Sequence, residues 1–223
     1  LGVMDEMGQD IWSDLVLLLL SYKVLSTHPR APIVFDVKCS RALIEGILAQ
    51  DGRPIMWQTG HSHIKSKMRE CNAPLAGERS GHIFIGGNLY YGYDDALMAG
   101  ALLVEEIVKR NRKVSKICAS LPQYITTPEI KAACPDAVKY EIVDDITRTL
   151  KARYGDKVNT INGARLELEN GWGLVRASSN LPELVLVFEG KTKDDLLKIR
   201  ALFREVLSSY EQIDSVWQND RLV

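Results

Sequence analysis

The chain has 223 residues, with 28 Lys and Arg against 29 Asp and Glu, so its formal net charge is −1. With 46% hydrophobic and 26% charged residues it has the composition of a folded globular protein, because its apolar surface is ample to offset the entropy of ordering the chain. The near-neutral balance argues against a nucleic-acid or membrane-surface binder, while leaving room for a local cationic pocket that takes a small anion.

This length suits one large domain or two small ones. Cys39, Cys71, Cys118 and Cys134 are scattered with no C-x-x-C pair and no secretory leader, which reads as reduced thiols in a cytoplasmic protein. The most apolar run, Leu15 to Leu20, is six residues long against the ~20 that span a bilayer. The opening segment, Leu1-Gly2-Val3-Met4-Asp5-Glu6-Met7-Gly8, reads as a strand running straight into a turn, a place where natural N-termini seldom lie.

Further along, Ile33 to Val37 is a nearly continuous apolar run, as expected for a buried parallel strand. Arg41 to Gln50 carries Ala42, Leu43, Ile47 and Leu48 at helical spacing, with Gly52 where a helix would stop. Pro54 leads into a second strand, Ile55 to Thr59, and His61 to Glu70 reads as a second helix. A third strand, His82 to Ile85, precedes a glycine- and tyrosine-rich loop ending at Tyr93. Asp94 and Asp95 then open a long helix to about Arg112, acidic residues at its positive end. Strand and helix alternate here, which implies βαβ units around a mainly parallel sheet.

After a short helix near Val114 to Ala119, the texture changes at about Leu121-Pro122. Ala164 to Leu168 alternates cleanly, Asn170-Gly171 is a hairpin signal, and Trp172 to Arg176 and Leu184 to Phe188 are further strands. Thr192-Lys193-Asp194-Asp195 resembles a capping box opening a helix to about Tyr210. The expected fold is α/β, a mixed, mainly parallel sheet with flanking helices over residues 1–121. A smaller α+β domain with an antiparallel sheet and helices follows over 122–223.

Ligands of open parallel sheets bind beyond the carboxyl ends of the strands. Asp36-Val37-Lys38 ends the first strand and places the Lys38 ammonium near that crevice. Gly60-His61-Ser62 ends the second and opens a helix whose N–H groups can hold an anion. Gly77-Glu78-Arg79-Ser80-Gly81-His82 combines a carboxylate, a hydroxyl and an imidazole between glycines, a set suited to the hydroxyls of a sugar. His61, His63 and His82, with Cys71 among them, raise a zinc reading, but no carboxylate or cysteine completes a recognised pattern and His63 reads as a surface helix residue. In the second half, Arg176-Ala177-Ser178-Ser179-Asn180-Leu181-Pro182 joins two strands. A guanidinium grips phosphate bidentately, with hydroxyls, amide and loop N–H groups for its other oxygens; an ordinary polar turn is the competing reading.

Together these segments resemble the α-D-phosphohexomutase family, in particular its bacterial phosphomannomutase/phosphoglucomutase branch. Gly77 to His82 is similar to the family's G-E-x-S-G-H sugar loop, and Arg176 to Pro182 to its phosphate loop, roughly R-x-S-N-T-x-P. Asp36 to Arg41 and Thr59 to Ser62 resemble branch-typical segments in the expected order. The resemblance implies a phosphoserine enzyme that moves phosphate between C1 and C6 of a hexose through a hexose 1,6-bisphosphate. It implies that Lys38, Gly60, Glu78 and Ser80 contact the substrate, that His61 and His82 lie beside the reacting groups, and that Arg176, Ser178, Ser179 and Asn180 hold the phosphate that is not transferred.

Two departures stand out. Ser179-Asn180 replaces the common Asn-Thr pair, and the phosphoserine loop (T-A-S-H-N-P type) and magnesium loop (D-G-D-x-D-R) are absent from these residues. The resemblance therefore implies the third and fourth of four domains, with Mg2+ ligands outside this chain. The N-terminal domains of the same polypeptide would be its partner, and the chain alone would be inactive. A phosphoglucosamine mutase is the alternative within the family, although its loop usually reads closer to R-P-S-G-T-E-P. A non-catalytic sugar-phosphate binding module is the alternative outside it.

Overall fold

The computed structural model describes residues 1–215 and 217. The chain divides into two compact units, Leu1–Gln123 and Tyr124–Val223. No helix among the described residues is long and apolar enough to cross a membrane.

The first unit opens with a small antiparallel hairpin, β1 (Val3–Met4) and β2 (Asp10–Ile11), whose turn is held by the Asp5 carboxylate accepting the Met7 and Gln9 N–H groups at 2.8 and 2.9 Å. Helix α1 (Ser13–Thr27) follows, with Val16 to Leu20 and Val24 and Leu25 all buried. It is apolar nearly all round, so it carries no polar face for a period of 3.6 to reveal, and the sequence pattern does not mark it. Then come β3 (Pro32–Asp36), α2 (Arg41–Ala49), β4 (Arg53–Trp57), α3 (His61–Glu70), β5 (Leu75–Gly77), β6 (Ile83–Ile85), β7 (Tyr93–Asp94), α4 (Ala96–Arg110) and α5 (Val114–Cys118).

The sheet order is β4-β3-β5-β6-β7. Strand β3 runs parallel to both β4 and β5, whereas β6 and β7 are added antiparallel. The third strand of the sequence reading is therefore the return arm of a hairpin. Three residues, Leu75–Gly77, form the strand before it, too short a run to announce itself. Both faces are covered: Ile33, Phe35, Leu75, Ile83 and Ile85 pack with α1 and α4, and Val34, Ala76 and Phe84 with Ile64 and Met68 of α3. That double burial is why β3 reads as an unbroken apolar run.

One stop signal and one start signal act differently from their sequence reading. Helix α2 ends in a Schellman arrangement in which Asp51 takes the left-handed backbone (φ +57) and the Gly52 N–H reaches the Ile47 carbonyl. Gly52 is small for another reason, since a Cβ there would lie 2.7 Å from Leu25 and 2.8 Å from Ile47. Of the acidic pair expected to open α4, only Asp95 caps it, accepting the Leu97 and Met98 N–H groups; Asp94 belongs to β7.

The second unit contains β8 (Ile125–Thr126), β9 (Ile130–Ala133), α6 (Lys139–Tyr154), β10 (Val158–Asn159), β11 (Ala164–Leu168), β12 (Gly171–Ala177), β13 (Glu183–Gly190) and α7 (Lys193–Leu207). Strands follow the order β10-β11-β12-β13-β8, with β9 also on β13, and every pairing is antiparallel. Alternate residues such as Ala164, Leu166, Val175, Leu184, Leu186 and Phe188 meet Ile146 and Leu150 of α6 and Ile199 and Phe203 of α7 in one core. The capping box at Thr192 and Asp195 is complete, and α7 ends at Leu207, three residues short of the expected stop. The fold is thus a mixed-sheet α/β unit followed by an antiparallel α+β unit.

Because α1 is closed in on all sides, a void at its centre has nowhere to collapse. Leu18→Ala is expected to lower the unfolding free energy by about 2–5 kcal/mol, read as a lower urea midpoint at unchanged slope.

Candidate functional site

In the first unit, three loops leave the carboxyl ends of β3, β4 and β5, and one buried carboxylate joins them. Asp36, the last residue of β3, is fully buried. Its Oδ1 accepts the Cys39 thiol at 3.2 Å and the Arg79 N–H at 3.1 Å, and its Oδ2 accepts the Thr59 hydroxyl at 2.9 Å. The Lys38 ammonium lies 3.5 Å from the same Oδ2. Lys38 is only 4% exposed, so its side chain turns onto Asp36 instead of reaching out from the strand end. Its carbonyl accepts from Arg79 Nη1 at 3.2 Å, and the Arg79 guanidinium covers the Trp12 ring with 4.7 Å to the centroid. From the other side, the buried Asp14 of α1 accepts the Ser40 N–H at 2.8 Å, while the Ser40 hydroxyl caps α2.

Glu78 makes a second bridge. It is buried, its Oε1 accepts the Gly60 N–H at 2.7 Å and its Oε2 accepts the Ser80 hydroxyl at 3.2 Å. Gly60 sits at φ +123, a conformation that suits glycine, and α3 starts there with no side-chain cap of its own. The Glu78 carboxylate thus supplies negative charge at the positive end of α3. Carboxylate oxygens carry more than one acceptor direction, so Glu78 keeps capacity for a ligand hydroxyl beside the exposed Ser80. The loop itself is a tight hairpin closed by Glu78 N–H to His82 carbonyl and Gly81 N–H to Glu78 carbonyl.

His61 and His82 meet edge to face, ring centroids 4.3 Å apart, with Phe84 edge-on to His61 at 5.0 Å. Each imidazole is 44% exposed. Asp94 stands beside both: its Oδ2 is 2.6 Å from His82 Nδ1 and 3.7 Å from His61 Nε2. His63 is exposed further along α3. Cys71 follows the far end of that helix, ten residues from His61 and so ~15 Å away along the axis. Among the described residues, His61, His82 and Asp94 place one ligand atom each within 4.8 Å of one another. Two imidazole nitrogens and one oxygen do not suit Mg2+, which takes oxygen ligands in octahedral geometry, so this trio is not a magnesium site.

None of the cysteines is an activated nucleophile. Burial pushes all four thiols up from their ordinary range, and at Cys39 the Asp36 and Asp14 carboxylates push further in the same direction. A cavity of about 490 Å³ lined by Met68, Arg69, Tyr90 and Tyr91 lies at the β6–β7 loop, and no sequence-derived site residue lines it.

In the second unit, Arg176 and Ser178 are buried, whereas Ser179 and Asn180 are exposed. Arg176 shares a strand face with Trp172 and Leu174, opposite Val175 and Ala177, which enter the core. The Ser178 N–H closes the hairpin on the Glu183 carbonyl at 2.9 Å, and its hydroxyl faces the Asn180 and Leu181 N–H groups at 3.4 and 3.3 Å. Lys139, at the start of α6, braces the loop by donating to the Leu181 carbonyl at 2.8 Å. The fold therefore gathers Lys38, Gly60, His61, Glu78, Ser80 and His82 in one unit and the Arg176–Asn180 loop in the other. Sequence reasoning passed over Asp36, Asp94 and Lys139, because a carboxylate at a strand end, an acid before a helix and a lone lysine each have commoner surface explanations.

Asp36→Ala removes the acceptor of a buried N–H and a hydroxyl at once. At ~1–3 kcal/mol for each stranded group, it should cost on the order of 3 kcal/mol of stability in urea, and Asp36→Asn less. Equal stability of the alanine variant would remove Asp36 from this role. Thiol-directed reagents at pH 8 should label Cys39 only after unfolding, as read by peptide mass mapping.

Residues 12–124 match the model of the phosphoglucomutase/phosphomannomutase alpha/beta/alpha domain III, and residues 129–206 that of the phosphoglucomutase/phosphomannomutase C-terminal domain. The chain is 40% identical over 211 residues to the phosphomannomutase/phosphoglucomutase of Pseudomonas aeruginosa, covering 94% of this chain and 45% of that protein. It is 39% identical over 210 residues to a phosphoglucomutase of Neisseria meningitidis, again 94% of this chain and 45% of that one. A crystal structure of a phosphoglucomutase/phosphomannomutase family protein from Burkholderia thailandensis superposes with a TM-score of 0.84 at 39% identity, covering 93% of this chain and 44% of the other. The chain thus spans about half the length of the curated relatives it matches. These 223 residues belong to the phosphoglucomutase/phosphomannomutase family, as its domain III and C-terminal domain.

Proposed function

We propose that these residues form the sugar- and phosphate-binding half of a mutase that interconverts hexose 1-phosphate and hexose 6-phosphate. The observation that carries this reading is the loop cluster in which Glu78, Ser80, His61 and His82 stand together on a scaffold tied by Asp36. In this reading Glu78 and Ser80 take sugar hydroxyls. Lys38 and the Gly60 turn shape the floor beneath them. The Arg176 guanidinium, with Ser178, Ser179 and Asn180, holds the phosphate that stays in place.

The phosphoryl group itself would come from a phosphoserine, assisted by Mg2+, and pass through a hexose 1,6-bisphosphate; the phosphoserine and magnesium motifs are not among these 223 residues. A division of this kind is physically sensible, because phosphoryl transfer needs positioning and charge stabilisation more than covalent help. Loops tied to buried carboxylates supply positioning.

The isolated chain should bind glucose 6-phosphate weakly, measured by titration calorimetry or amide shift perturbation. It should give no turnover in a coupled assay from glucose 1-phosphate or mannose 1-phosphate. Arg176→Ala removes charge-assisted hydrogen bonds of ~1.5–3 kcal/mol and is expected to weaken binding by about 10- to 100-fold. Absence of binding by the parent chain at tens of millimolar, or turnover by the pure chain, would count against the proposal.

A further inference from the structure

We infer that Asp94 is a positioning residue that holds His82 as its Nδ1–H tautomer and leaves Nε2 as the ring atom that exchanges a proton with the ligand; the role of Nε2 rests on the mutase reading above. Asp94 is paired with Phe84 in the β6–β7 ladder, one residue past Ile83. Its Oδ1 accepts the Ile83 N–H at 3.1 Å, which fixes the plane of the carboxylate and aims Oδ2 at His82. At 2.6 Å, Oδ2 is within hydrogen-bond distance of Nδ1. A carboxylate has only acceptors to offer, so the proton of that bond sits on Nδ1. In the neutral ring Nε2 then carries the lone pair.

His61 does not receive the same treatment. Its Nε2 is 3.7 Å from Asp94 Oδ2, outside hydrogen-bond reach, and its ring is packed against His82 and Phe84. Helix capping does not require Asp94 either, since Asp95 caps α4 with its own carboxylate and takes the Tyr90 hydroxyl at 2.7 Å. Asp94 is therefore spent on the imidazole and the neighbouring N–H, and it separates the roles of two histidines that look equivalent in the sequence.

The chemistry closes without an outside reagent. When a sugar hydroxyl attacks the phosphorus of a phosphoserine, its O–H bond breaks and its proton passes to Nε2. The oxygen pair forms the new O–P bond, and the serine oxygen leaves with the old P–O pair. On the return transfer the serine oxygen attacks the other phosphate and forms a new O–P bond, and the sugar oxygen that leaves with the old P–O pair takes the proton from Nε2. One proton has moved from one hydroxyl to the other. Meanwhile the Asp94 oxygen faces the imidazolium that exists between the two steps.

Asp94→Asn is the informative variant. The Ile83 N–H will hold the amide oxygen, which turns the NH2 group toward Nδ1. That nitrogen must then accept, and the proton moves to Nε2. The experiment is long-range 1H–15N correlation of the histidine rings in the 15N-labelled 223-residue chain at pH about 8.5, above the ordinary imidazole range of ~6.5. The parent should show His82 protonated at Nδ1 and bare at Nε2, the Asn variant the reverse, and His61 the same pattern in both. Glucose 1-phosphate added to the parent should shift the His82 Nε2 resonance. A parent His82 protonated mainly at Nε2 would overturn the inference, as would an Asn variant with the parent's pattern. Should the variant fail to fold, the parent spectrum alone decides. If the tautomers are as expected but no histidine or loop resonance responds to the sugar phosphate, the mutase reading fails while the role of Asp94 in setting the tautomer stands.

Discussion

A single buried carboxylate organises the face of the first unit on which everything else rests. Asp36 sits at the end of the central parallel strand, where the chain must leave the sheet, and it receives hydrogen bonds from all three loops that emerge there. A buried charge is costly unless its oxygens are satisfied, and satisfying them requires Cys39, Thr59 and the Arg79 N–H to occupy particular positions. The loops are therefore held in place by the same requirement that keeps Asp36 tolerable inside the protein. Lys38, 3.5 Å away, adds a compensating charge.

The other acidic groups of the region work in the same manner. Asp14 secures the start of α2 through Ser40, Glu78 joins the Gly77–His82 loop to the start of α3, and Asp94 links β7 to the His82 ring. Each carboxylate bridges two separate segments, 26, 18 and 12 residues apart along the chain. Such bridges pre-orient polar side chains before any ligand arrives, which is what a site that works by positioning requires. The second unit uses a cation for the equivalent task, with Lys139 bracing the turn after β12 through the Leu181 carbonyl.

How much of this was legible depended on whether the signal was local. The apolar run at Ile33 to Val37, the spacing of Arg41 to Gln50 and the Thr192–Asp195 capping box are short-range patterns, and the corresponding elements form where those patterns lie. Helix α1 carried no such pattern because burial on all sides erases amphipathic contrast, and β5 was hidden by being three residues long. Missing β5 also concealed that the Gly77–His82 segment is a hairpin, so the strand after it runs antiparallel. The candidate residues on the loops were legible as motifs, but the residues that support them were not.

The sequence by itself determined the elements that carry a local pattern, their approximate limits and the family to which the chain belongs, since capping, periodicity and loop motifs are written in neighbouring residues. It also supplied the two histidines and the glutamate-serine loop. Only the tertiary structure decided that Asp36 ties three loops together, that Lys38 folds back onto it, and that Asp94 stands beside His82 and not in the cap of α4. The physical reason is distance along the chain. The Asp36–Arg79 bond spans 43 residues and the Asp14–Ser40 bond 26. An isolated Asp or Lys gives no local sign of the partner that will make its burial favourable, and that partner is set only when the sheet brings its strand ends together.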